Sequence, residues 1–242
     1  NIGGRFSVFT PVGLLPAYML GIDIDQFYQG ANEIKENLLS KDIARNNLLQ
    51  TAAHLACLFE STPSINETVL MPYSSKLKDL SSWFVQLWGE SLGKFSQNKN
   101  TNTGLTPVAA YGATDQHSQM QLFMEGPNNK CLFLLSIDQS HTDFSLDSDL
   151  EFESASKLKQ YTLNQLITAQ FQGTLSALQQ NERNVIAMKI DRLTPSNIGK
   201  LILFFESLTV LMGEYLEVDP FNQPGVELGK KYAFKYLESL DT

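Results

Sequence analysis

Cysteine is scarce. The 242-residue chain has two, Cys57 and Cys131, too few for a disulfide framework. Both sit in apolar stretches, LACLFE and KCLFLL, where a thiol serves as a small core residue, and a reducing, cytoplasmic compartment is the expectation. Histidine is scarce as well, with three residues. His54, His117 and His141 are scattered with the two cysteines at no metal-ligand spacing, so no zinc or other metal site is expected. Basic residues are outnumbered, 18 Lys and Arg against 26 Asp and Glu, for a net charge of −8, and they form no cluster. A nucleic-acid binder would need a positive stripe, and docking on an anionic membrane would need a basic patch. Long hydrophobic runs are missing too. The best, Leu201–Leu216, is interrupted by Glu206 and Glu214. The N-terminal run Val8–Ile22 is broken by Pro11 and Pro16, and Asp23 and Asp25 follow where a leader peptide needs small residues. There is no internal repeat and no linker-like composition. The chain opens on Asn1 rather than Met and reads as a piece of something longer.

What is present is ordinary globular material, with 43% hydrophobic and 18% charged residues. Short apolar runs predict strands at Arg5–Thr10, Thr68–Tyr73, Leu105–Tyr111, Lys130–Ile137 and Asn184–Ile190. Their continuous apolarity predicts strands covered on both faces. Helical stripes lie between them. One is Leu77, Leu80, Phe84, Leu87 and Trp88. Another runs from Ile198 through Leu201, Ile202, Phe205, Leu208, Met212 and Tyr215, entered through Thr194 as cap and Pro195 in the first turn. Alternation of the two patterns predicts a three-layer α/β/α sandwich with a mainly parallel sheet of about five strands. Ser96–Gly104 and Gln139–Asp149 read as surface loops.

Three segments could carry chemistry. In FVQLWGESLGK, Gln86 and Glu90 lie one turn apart, away from the apolar stripe. A carboxylate with an amide one turn before it can act as a hydrogen-bonded base, and the same spacing fits a solvated polar face. In YGATDQHSQMQLFMEGP, Thr114 or Asp115 can cap a helix carrying Met120, Leu122 and Phe123. That puts His117 in the first turn, where the helix dipole favours neutral imidazole. Such a histidine can exchange protons or merely form hydrogen bonds. In DPFNQPGVELGKKYAFKYL, Pro224 starts a helix whose Val226, Lys230, Ala233 and Leu237 share a face. Lys230 there either snorkels to the rim or is partly desolvated. A weaker feature is Gly3-Gly4-Arg5, which offers close backbone approach and a fixed cationic fork.

Taken in order, these segments resemble the glucose-6-phosphate isomerase (phosphoglucose isomerase) family. GGRFS is similar to its GGR signature. LWGESLGK and LTPVAAYGATDQHSQMQLFMEGP are similar to its short bacterial form, and PFNQPGVELGKK to its C-terminal signature. The likeness covers essentially the whole chain. It implies interconversion of D-glucose 6-phosphate and D-fructose 6-phosphate, a step of glycolysis and gluconeogenesis, through an enediol and without cofactor. It implies Glu90 as the base moving a proton between C2 and C1, and Arg5 beside the enediolate. His117 is implied in ring opening, supplied by the other subunit of a homodimer, and Lys230 near the ring oxygen. Gln86 and Gln223 are implied as substrate contacts. The family's Ser/Thr-rich phosphate loops, on an N-terminal sugar-isomerase (SIS) domain, have no counterpart here. Residues 1–242 therefore read as the C-terminal SIS-type domain, inactive by itself. A non-catalytic sugar-phosphate-binding SIS module, or a dimerisation domain using Leu14–Ile22, is the alternative.

Overall fold

The computed structural model describes residues 2–40, 42–139, 143–145 and 157–240. Its centre is a four-stranded, all-parallel sheet. The strands are β1 (Glu67–Pro72), β4 (Thr106–Ala109), β5 (Lys130–Gln139) and β6 (Asn184–Arg192), in the order β4-β1-β5-β6. A small antiparallel ribbon, β2 (Lys94–Ser96) with β3 (Thr101–Thr103), stands apart from it. Among the described residues the helices are α1 (Pro11–Met19), α2 (Ile24–Leu39), α3 (Asn47–Phe59), α4 (Lys78–Leu92), α5 (Met120–Glu125), α6 (Leu163–Gln180), α7 (Pro195–Leu216) and α8 (Gly225–Leu240).

The unbroken apolar run of β5 has the cause expected of it, which is burial on both faces. Cys131, Leu132, Phe133, Leu134 and Leu135 are all at most 1% exposed. Cys131, Phe133 and Leu135, with Leu70 of β1, pack against Phe84, Leu87 and Trp88 of α4 and Phe205, Leu208 and Met212 of α7. Val69, Met71, Leu132 and Leu134 point the other way, onto Phe123 of α5 and Phe171 and Leu178 of α6. Each fully buried Val, Leu, Phe or Met among them contributes about 1.5–3 kcal/mol on leaving water. The result is the α/β/α sandwich. The helix α6, whose Ile167, Phe171, Leu175 and Leu178 recur at helical spacing on that side, begins with a reciprocal capping box of Thr162 and Gln165.

Helix α7 starts as expected, with the Thr194 hydroxyl accepting from the Asn197 N–H and Pro195 in the first turn. It is the one described helix long and apolar enough to cross a membrane by length and composition, yet its stripe is core. Helix α2 lies across it at very short range. A Cβ on Gly30 would fall 1.8 Å from the Ser196 carbonyl oxygen, and one on Gly199 would fall 2.1 Å from that of Phe27. These two glycines allow the backbones to touch.

Three expectations fail locally. Arg5–Thr10 is not a strand: Gly4–Phe6 is a 3-10 turn closed by the Phe6 N–H on the Gly3 carbonyl, and Thr10 caps α1 with Pro11 first in line. A capping threonine before a first-turn proline favours helix here over the β-propensity upstream, and among the described residues the sheet has four strands. The segment Ser96–Gly104 is not a plain loop. It holds the β2–β3 turn, with Asn100 at φ +50°, a conformation asparagine tolerates. Cys57 is an exposed residue of α3, because it lies on the side of the helix away from Leu48 and Leu55. Residues 140–142, including His141, and 146–149 of the second loop lie outside the described residues.

Candidate active site

Arg5 is the hub. It is 1% exposed, and each of its guanidinium nitrogens is engaged. Nε donates to Ser91 Oγ at 2.8 Å. Nη1 donates to Glu90 Oε2 at 3.1 Å and Gln223 Oε1 at 2.7 Å. Nη2 donates to the carbonyls of Pro220 at 2.7 Å and Asn222 at 2.8 Å. Five donors meet five acceptors, which is the condition for burying such a cation. The Arg5 carbonyl in turn accepts from the Trp83 indole N–H at 3.2 Å, and the rings of Phe6 and Phe221 meet at 5.1 Å.

The local sequence explains the geometry. The apolar stripe of α4 turns Phe84, Leu87 and Trp88 into the core, so Gln86 and Glu90 project from the opposite side. Gln86 Nε2 donates to Glu90 Oε1 at 3.3 Å, the one-turn contact expected from their spacing. Thus one carboxylate oxygen rests on the guanidinium and the other on an amide, while the side chain stays 34% exposed. This is a charge-balanced carboxylate open to solvent, able to exchange a proton with a molecule laid against it. Gln223 reaches the same guanidinium from 219–223, the loop between α7 and α8.

His117 and Lys230 are not joined to this group by any hydrogen bond or ion pair among the described residues. His117 closes a 3-10 turn, Thr114–His117, rather than opening α5, so the dipole argument for it does not apply. The Asp115 carboxylate folds back instead, accepting from the Tyr111 N–H and the Ser118 hydroxyl, each at 2.7 Å. His117 is exposed. Lys230 does follow Pro224 on a helix, but α8 buries none of its residues. The Lys230 ammonium is neither snorkelling nor desolvated. It faces solvent and pairs with Glu227 Oε1 at 2.8 Å. Ser91, Trp83 and Lys94 join the group without having stood out in the sequence, and Lys94 donates to the Asp219 and Asn222 carbonyls. The segment GESLGK, with a serine directly after the carboxylate, is the signal that could have found Ser91 and Lys94.

Fold and site together define a class: a parallel α/β sandwich protein with a guanidinium-paired carboxylate on a helix flanking the sheet. The family model for phosphoglucose isomerase matches residues 1–242, and the chain belongs to that family. It is 39% identical over 240 residues to a glucose-6-phosphate isomerase of Carboxydothermus hydrogenoformans, covering 98% of this chain and 51% of that protein. It is 39% identical over 237 residues to one of Thermus thermophilus, covering 98% and 56%. The crystal structure of a hypothetical protein from Thermus thermophilus superposes with a TM-score of 0.90 at 39% identity, over 97% of this chain and 55% of that one. That of a glucose-6-phosphate isomerase from Chlamydia trachomatis gives 0.81 at 23% identity, a likeness of fold, over 99% and 48%. The chain spans about half the length of the curated relatives it matches.

Proposed function

We propose that this chain is the C-terminal SIS-type domain of a glucose-6-phosphate isomerase and carries the proton-transfer part of its site. The observation that carries the reading is the Glu90 carboxylate held between Arg5 and Gln86, with Gln223 on the same guanidinium. Glu90 takes the C2 proton of the open-chain aldose as the C1–C2 double bond of the enediol forms and O1 gains a proton. It returns the proton to C1 as the C2 hydroxyl loses its own and becomes the ketone. Negative charge develops on the oxygens in between. A fixed guanidinium counters it without reorganising, because Arg5 is already locked by five acceptors. Gln86 and Gln223 present amides to the sugar hydroxyls. The reaction is an internal redox exchange between two carbons and requires no external electron carrier.

His117, exposed on its turn, is assigned to ring opening in the site of a second copy, and Lys230 to the ring oxygen once α8 is covered. The phosphate is assigned to a part of the enzyme beyond this chain. Loss of that anchor lowers turnover as well as affinity, so the chain by itself turns over negligibly. Two unpaired thiols fit a reducing, cytoplasmic setting.

The test is Glu90→Gln in the full-length protein. It should lower isomerase turnover and C2 hydrogen exchange with solvent by about 10²–10⁴-fold, with little change in KM. Wild-type exchange in Glu90→Gln would overturn the assignment.

A further inference from the structure

Helix α4 ends at Leu92, where the Gly93 N–H bonds the Gly89 carbonyl, and β2 begins with Lys94. The Lys94 ammonium leaves the ribbon and crosses to the loop that carries Gln223. It donates to the Asn222 carbonyl at 2.7 Å and to the Asp219 carbonyl. Arg5 holds the same loop from its buried side, through Pro220 and again through Asn222. The Asn222 carbonyl is therefore shared by two cations, and three carbonyls of one short loop are aimed at them. Asp219 completes the loop from within, its carboxylate accepting from the Phe221 N–H at 2.9 Å and the Asn222 amide at 2.8 Å. A cleft of 720 Å³ opens beside this clamp, lined by Lys94, Asn102, Glu217, Asp219 and Asn222.

We propose that Lys94 is a positioning residue, which clamps the 219–222 backbone so that Gln223 stays against Arg5 and the substrate group around Glu90 keeps its geometry. The inference rests on the reading of Arg5, Glu90 and Gln223 given under Proposed function. It explains why an ammonium sits where it is poorly stabilised. Partial burial first, and the Arg5 charge second, push its pKa down to about 8, while Asp219 opposes them. Its acceptors lie at an exposed loop and could turn to water instead. Lys94 thus adds little to global stability, and its effect falls on the placement of one loop.

Two measurements on the full-length protein separate this role from a structural one. In Lys94→Met, backbone amides of 219–223 should exchange with deuterium about tenfold faster or more, at unchanged Tm. Turnover should fall about 10–100-fold with KM within about threefold, the cost of misplaced groups. Lys94→Arg, which keeps the charge and the reach, should recover both. Unaltered exchange in Lys94→Met, a collapse of Tm, or a Lys94→Arg indistinguishable from Lys94→Met would each overturn the proposal. If the wild-type protein shows no isomerase activity, the reading of the site fails, while the exchange experiment still decides whether Lys94 sets the loop.

Discussion

Arg5 Nη1 and Gln223 Oε1, 218 positions apart in the chain, meet at 2.7 Å. That contact ties the first turn of the chain to the loop before its last helix, and Glu90 shares the same nitrogen. The guanidinium is a joint between three segments, and its planar five-donor fork is what lets one side chain serve them all.

Arg5→Lys keeps the charge and offers three donors in place of five. At least two of the acceptors now on Arg5 lose their partner. A loss of about 3 kcal/mol is expected, and at roughly 2–4 °C per kcal/mol for a chain this long, Tm should fall by about 6–12 °C. A thermal melt of the two proteins checks this. An unchanged Tm would mean that water replaces the fork without cost.

Glu206 should make stability depend on pH. It lies mid-way along α7, 7% exposed, with Oε1 lacking a partner, and burial pushes its pKa from 4.5 up to about 7. The folded state then holds more protons than the unfolded one between those values. The contribution is complete below the lower value and lost as pH rises through 7. Glu206→Gln should flatten this slope and gain up to about 3 kcal/mol at pH 8. Denaturant unfolding at pH 5 and pH 8 measures it, and parallel pH profiles for the two proteins would count against the burial argument.

The two thiols should react apart. Cys131 is fully buried near the start of the interior strand β5, and burial pushes its thiol up to about 12, whereas Cys57 is exposed. An aromatic disulfide reagent at pH 8 should modify Cys57 alone in the native protein and both in denaturant. Rapid modification of Cys131 without denaturant would show that the sandwich opens easily.

Lys230 and Lys231 share an exposed helix, and the role proposed for Lys230 sets them apart in the full-length protein. Lys230→Ala should lower turnover about tenfold or more, and Lys231→Ala should stay within about twofold. Steady-state kinetics on both variants decides it, and equal effects would remove the assignment to the ring oxygen.

Periodicity alone was enough for the strand buried on both faces and for the helices with a long buried stripe. β5, α4 and α7 follow from uninterrupted or helical-spaced apolar residues because nothing but a covered position suits such runs. The one-turn spacing of Gln86 and Glu90 also follows, since local helix geometry sets it. Elements governed by local capping rather than by apolar pattern went astray. RFSVFT has strand-like residues, but Thr10-Pro11 starts α1, and no strand of the sheet takes up Arg5–Thr10. His117 follows an aspartate that bonds back to Tyr111 and Ser118 in preference to capping a helix.

The sequence by itself determined the layered fold and placed a carboxylate and an amide on one helix face, because both depend on residues within a few turns of each other. Only the tertiary structure decided that Arg5 is buried, that Gln223 and Ser91 reach it, and that Lys94 grips the 219–223 loop. Those contacts join residues far apart in the chain, and no local pattern encodes them. They exist because α4 and α7, packed against the same sheet face, bring the end of one and the loop after the other within hydrogen-bond distance of a single guanidinium.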